Sequence, residues 1–125
     1  MTGSVSKKFK PSFSSPYYFI RRSLYTKIKH FAPQLQGRLL DFGCGSKPYQ
    51  ALFTSVSEYV GLDFENDGHS HRSENIDVMY DGKTIPFADT HFDSVFSSEV
   101  FEHIFNLEQI IQELNRVMKK GAKLF

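Results

Sequence analysis

The sequence predicts an α/β domain in which helices wind around a parallel sheet. Three observations lead to that class. Short apolar runs alternate along the chain with segments of helical period. A glycine pair, Gly43 and Gly45, follows directly on the first clear run, as a tight turn does after a buried strand. Three acids, Asp41, Asp63 and Asp81, fall at the ends of successive runs, where such sheets gather their ligands.

The elements follow in order. Residues 1–15 are rich in Ser and Lys and read as a flexible tail. Ser15-Pro16 has the form of an N-cap with proline at the first helical position. Tyr17, Ile20, Leu24, Ile28 and Phe31 then recur at helical spacing, giving an amphipathic helix over 16–33. Arg38–Phe42 is the first strand, and Pro48 opens a short helix through Phe53. Glu58–Leu62 is the second strand, 64–75 a polar loop, Ile76–Tyr80 the third strand and Phe92–Ser97 the fourth.

The last helix is the clearest element, with Leu107, Ile110, Ile111, Leu114, Val117 and Met118 on one face. Asn106 and Gln109 suggest a capping box. Glu108 in the first turn, Lys119-Lys120 in the last and Gly121 as the stop match the helix dipole and C-terminal rules. Ala122–Phe125 reads as the start of a fifth strand, inside which the sequence stops.

Composition bounds the function. The 125 residues are 40% hydrophobic and 23% charged, which suits one globular domain. No run is long enough to span a membrane, and no apolar segment follows the basic MTGSVSKKFK as in a secretory signal. The single cysteine, Cys44, leaves no internal disulfide, so a reducing, cytoplasmic setting is expected. Residues 1–38 hold eight basic side chains and no acid, while 39–125 hold fourteen acids against seven basic residues. The basic segment is read as a solvated helix beside an acidic domain, not as a nucleic-acid arm.

The glycine turn narrows the ligand. A dinucleotide would ask for G-x-G-x-x-G with free N–H groups, whereas residues 43–48 read GCGSKP. Pro48 has no N–H and carries a ring where the third glycine would stand. A nucleoside ligand without a pyrophosphate asks only for close backbone approach and an acid for its ribose. Asp63 lies at about the right remove from Gly45 for that role. His69 and His71 are not accompanied by ligands at zinc spacing, so no metal is expected.

The runs LLDFGCGSKPY, YVGLDF, YDGKTIPFADTHFDSVFSSEVFEHI and LEQIIQELNRVMKKGAKL occur in that order and together resemble the class I S-adenosylmethionine-dependent methyltransferases, type 11 group. The resemblance covers about residues 35–125. It implies a Rossmann-like sheet of class I methyltransferase topology, here incomplete after the fifth strand begins. It implies S-adenosyl-L-methionine as cofactor and a small-molecule methyl acceptor. Position by position, Asp41, Gly43, Cys44 and Gly45 match the turn beside the methionine part of the cofactor. Asp63 matches the acid for the ribose hydroxyls, Phe64 a neighbour of the adenine, and Asp81 and Gly82 the pair at the adenine edge. Ser97, Ser98 and Glu99 match the stretch facing cofactor and acceptor. Lys47 departs from the family, standing where a third glycine is frequent. His103 is the candidate general base, with a helix-turn packing role as the competing reading. The alternative function is a catalytically inactive SAM-binding remnant or interaction module left by truncation, with self-association through the exposed sheet edge.

Overall fold

The structure, a computed structural model, describes residues 18–64, 76–98 and 104–125. Helix α1 (Tyr18–Phe31) runs into a 3-10 turn at Ala32–Gln34 and then into β1 (Gly37–Phe42). Strands β2 (Val56–Phe64), β3 (Val78–Tyr80) and β4 (Phe92–Phe96) follow, then helix α2 (Leu107–Val117) and β5 (Met118–Leu124). The five strands form one sheet in the order β3-β2-β1-β4-β5, and every pairing is parallel. The expected tail, the Ser15-Pro16 helix start and residues 65–75 of the expected loop lie outside the described residues.

Alternation along β1 sorts the core onto two faces of the sheet. Leu39 points to α1 and packs with Ile28, Ala32, Phe53 and Phe96. Leu40 and Phe42 point the other way and pack with Val60, Leu62, Ile110, Leu114 and Val117. Each of the fully buried Ile110 and Leu114 stabilises the fold by roughly 2 kcal/mol through apolar burial. Coverage on both faces is what allows β1 to be apolar from Leu39 to Phe42 except for Asp41.

Several elements differ from the sequence reading. The helix expected from Pro48 to Phe53 is a single 3-10 turn, Gln50–Leu52. Gly45 and Lys47 both take positive φ, so the turn consumes the residues a longer helix would need. Strand β2 is longer at both ends than Glu58–Leu62 and includes Asp63 and Phe64. Asn106 does not cap α2 with its side chain; its amide donates instead to the Gly82 carbonyl (2.9 Å) and to Gln109 Oε1 (3.3 Å). Leu107 and Ile111 are exposed, so the inward face of α2 is narrower than its apolar pattern.

The C-terminal end of α2 is the largest correction. The helix stops at Val117 and Met118 is already extended, with Lys119, Lys120 and Gly121 inside β5. Pairing with β4 offers these residues ladder hydrogen bonds that a further helical turn would forgo. Between the Phe92↔Met118 and Ser94↔Lys123 pairs β5 gains extra residues, and Gly121, at φ 85, absorbs the resulting bulge. Lys119 meets Asp93 at 3.0 Å instead of a helix dipole.

Candidate functional site

The strand order reverses at β1: the chain winds outward through β2 and β3, then returns to place β4 on the other side. In parallel α/β sheets the crevice at the carboxyl ends beside such a reversal is where ligands bind. The glycine turn lies there, directly after Phe42. Its amides are held by β2: Gly43 and Cys44 donate to the Leu62 carbonyl at 2.7 and 3.1 Å. Gly45 donates to Asp63 Oδ2 at 2.9 Å, and the other Asp63 oxygen accepts the Phe64 amide at 2.8 Å. Gly43 and Gly45 sit at φ 73 and 51, the left-handed region that glycine enters without a steric penalty.

Beyond Asp63 the site opens into a cleft of about 620 Å³ lined by Phe64, Tyr80, Asp81, Gly82, Phe105 and Asn106, among others. Phe64 is partly exposed and meets Tyr80 edge-on at 6.1 Å. A Cβ on Gly82 would come within 2.6 Å of the Phe64 ring, so only glycine leaves the ring its place. Asp81 folds the loop after β3 by accepting the Lys83 and Thr84 amides at 2.8 and 2.9 Å. Those bonds hold its carboxyl below the usual range. On the other flank Ser97 donates to the Phe42 carbonyl at 3.0 Å, closing β4 onto β1, and Ser98 is half-buried beside it.

The buried floor carries more charge chemistry than the sequence reading anticipated. Asp41 is only 3% exposed and accepts a short hydrogen bond from the Tyr59 hydroxyl. Burial pushes its pKa up to about 7, against the lowering effect of Tyr59; Asp63 adds to the rise and Lys47 opposes it. Cys44 is buried against Gly61, and burial followed by the Asp41 and Asp63 charges pushes its thiol up to about 12. Such a thiol is no nucleophile at neutral pH, which leaves it the packing role its size suggests. Lys47, the residue without a sequence explanation, is buried and forms an ion pair with Asp77 at 2.6 Å.

The structure thus gathers Asp41, Gly43, Cys44, Gly45, Asp63, Phe64, Asp81, Gly82 and Ser98 at one end of the sheet. Glu99 and His103 lie outside the described residues, as do His69 and His71. Among the described residues there is no cluster of three or more metal-ligating side chains, and no helix is long and apolar enough to cross a membrane. Sequence reasoning missed Tyr59 and Asp77. The signal for Tyr59 was its place two residues before Gly61, on the same strand face as the turn.

The residues present fit an adenosyl cofactor. Asp63 brings a carboxylate to the glycine turn, and the Gly82 cradle keeps an aromatic ring at the mouth of the neighbouring cleft. A parallel sheet wound in this order, with a glycine turn after β1 and an acid at the end of β2, is the Rossmann-like arrangement of nucleotide-cofactor domains, to which the class I methyltransferases belong.

Residues 40–125 match the family described as "Methyltransferase domain". The chain belongs to this family of S-adenosylmethionine-dependent methyltransferases. It is 33% identical over 116 residues to the biotin biosynthesis bifunctional protein BioHC of Cellvibrio japonicus, covering 85% of this chain and 23% of that protein. It is 33% identical to the mitochondrial ubiquinone biosynthesis O-methyltransferase of Rattus norvegicus, over 86% of this chain and 36% of that one. Against malonyl-[acyl-carrier protein] O-methyltransferase of Methylococcus capsulatus the identity is 29%, over 84% and 42% of the two chains. Among solved structures, BH2331 of Bacillus halodurans, provisionally named a methyltransferase, superposes with a TM-score of 0.65 at 25% identity. That match covers 82% of this chain and 49% of that one. The chain therefore spans less than half the length of these curated relatives.

Proposed function

We propose that residues 35–125 bind S-adenosyl-L-methionine and that the protein transfers its methyl group to a small-molecule acceptor. The observation that carries this reading is the convergence of Gly45, Asp63, Phe64 and Gly82 on one crevice, with the Asp63 carboxylate already drawn to the turn. When bound, the cofactor supplies a methyl group activated by its sulfonium charge. The chain's residues then have binding and alignment to provide. Asp63 accepts hydrogen bonds from the ribose hydroxyls, Phe64 packs on the adenine, and the loop of Asp81 and Gly82 borders its edge. The glycine turn borders the methionine part and Ser98 faces the acceptor, while the Asp63 carboxylate favours a cationic ligand.

The acceptor class follows the relatives, whose names include O-methyltransferases of malonyl-[acyl-carrier protein] and of ubiquinone biosynthesis. An oxygen acceptor benefits from a general base, and His103 is proposed for it, with Glu99 beside the cofactor. A reducing, cytoplasmic setting is proposed on the single, buried thiol of Cys44.

Calorimetric titration of the chain with S-adenosylmethionine and S-adenosylhomocysteine tests the reading. Saturable binding is expected, weakened at least ~10-fold by Asp63→Ala through loss of charge-assisted hydrogen bonds. Absence of binding by folded protein contradicts it.

A further inference from the structure

Lys47 occupies a position that argues for more than tolerance. Its φ is 58, so it keeps the left-handed backbone that glycine adopts without strain, although it carries a long side chain. That side chain is 8% exposed and does not point to solvent. It crosses β2 over Gly61, where an added Cβ would lie 2.5 Å from Lys47 Cε and 2.7 Å from Cys44 Sγ. Gly61 is therefore the groove through which the lysine stem passes. The ammonium ends 2.6 Å from Asp77 Oδ2, just before β3, and 6.0 Å from the centroid of the Tyr59 ring.

Asp77 is itself tied to β2. The same oxygen accepts the Gly61 amide at 2.8 Å, and the Asp77 amide donates to the Gly61 carbonyl at 3.0 Å. The lysine thus bridges the glycine turn after β1 to an acid before β3, straddling the strand that carries Asp63. Two residues upstream, Gly45 makes its bond to Asp63. The Lys47 amide also donates to the Cys44 carbonyl at 2.9 Å, so backbone and side chain brace the same turn.

We propose that the Lys47–Asp77 ion pair is a latch that holds the glycine turn against β2 and so sets the Gly45–Asp63 geometry for the cofactor. Lys47 is a positioning residue here, acting through Gly45 and Asp63. The effect on affinity rests on the reading that this turn binds S-adenosylmethionine; the effect on the turn itself does not.

Lys47→Gly relieves the backbone strain and removes the ammonium together. Lys47→Met retains most of the stem, and Asp77→Asn keeps an acceptor for the Gly61 amide while removing the partner charge. Hydrogen exchange of the full chain, followed amide by amide, is measured together with calorimetric titration of S-adenosylmethionine. All three variants are expected to exchange the Gly45 amide at least ~10-fold faster while the core amides of Leu40 and Val95 stay protected, and to bind about 10-fold more weakly as the competent turn becomes the minor form. Lys47→Met or Asp77→Asn with wild-type Gly45 protection and wild-type affinity overturns the latch. Loss of core protection in all three variants overturns it as well, since the pair is then a general stability element. If the wild-type chain binds no S-adenosylmethionine, the ligand reading fails, and Gly45 exchange alone decides the latch.

Discussion

At the scale of single residues, Asp41 is the group whose protonation the fold controls most directly. Its carboxyl is buried, and its pKa rises from 3.8 to about 7. The folded protein therefore keeps a proton that the unfolded chain releases between those values. Stability from this group is full below about pH 4 and is lost as pH rises through about 7. The difference between wild type and Asp41→Asn, followed by urea unfolding from pH 4 to 8, is expected to change by on the order of 3 kcal/mol, with the variant the flatter of the two. Asp81, Asp93 and Glu113 are shifted downward and lose their stabilisation as pH falls, but both proteins share them, so the comparison isolates Asp41. A second prediction concerns Gly61. Gly61→Ala forces a Cβ against Lys47 and Cys44, and a destabilisation of about 1–3 kcal/mol is expected in chemical denaturation.

At the scale of elements, one ion-pair network explains why IPFAD and the end of α2 belong together. Arg116 donates to the carbonyls of Ile85 (2.8 Å) and Phe87 (2.9 Å) and to the carboxylates of Asp89 (2.8 Å) and Glu113 (2.9 Å). Glu113 in turn accepts the Ile85 amide at 2.8 Å. The planar guanidinium serves acceptors in several directions at once, which an ammonium does not. Arg116→Lys is expected to cost about 1–3 kcal/mol in chemical unfolding, and a neutral result contradicts this account of the network. Helix α2 was legible because Ile110, Leu114 and Val117 are locally periodic. Its end was not, because Met118 to Lys120 have helical propensity and the two lysines suit a helix C-terminus, yet they are drawn into β5 by pairing with β4, a partner more than twenty residues away. The 3-10 turn after the glycines was misread for a similar reason: the positive φ of Lys47 has no signature in a lysine.

At the scale of the whole molecule, the sequence made the α/β class and the parallel winding legible through its strand-and-helix alternation. It also placed the acids of β1, β2 and β3 at one end of the sheet. What it left dark was contact at a distance: Tyr59 on Asp41, and Lys47 reaching Asp77. Both depend on side chains crossing strands, which spacing along one strand does not encode. The outer side of β5 has no strand beside it among the described residues, and Lys119, Lys120 and Lys123 line that edge strand. Like charge there opposes edge pairing between two copies. Any self-association through this edge is therefore expected to strengthen with salt in sedimentation experiments, and association that weakens with salt contradicts the edge as its site.

Whether S-adenosylmethionine is held at the carboxyl end of β1, β2 and β3 is read from the amide chemical shifts of the isotope-labelled chain during titration with the cofactor. Saturable shifts are expected at Gly43, Gly45, Phe64 and Gly82, with Gly37 and Gly121 unmoved. Shifts centred on Gly37 and Gly121, or no saturable shift in the folded protein, would contradict that placement.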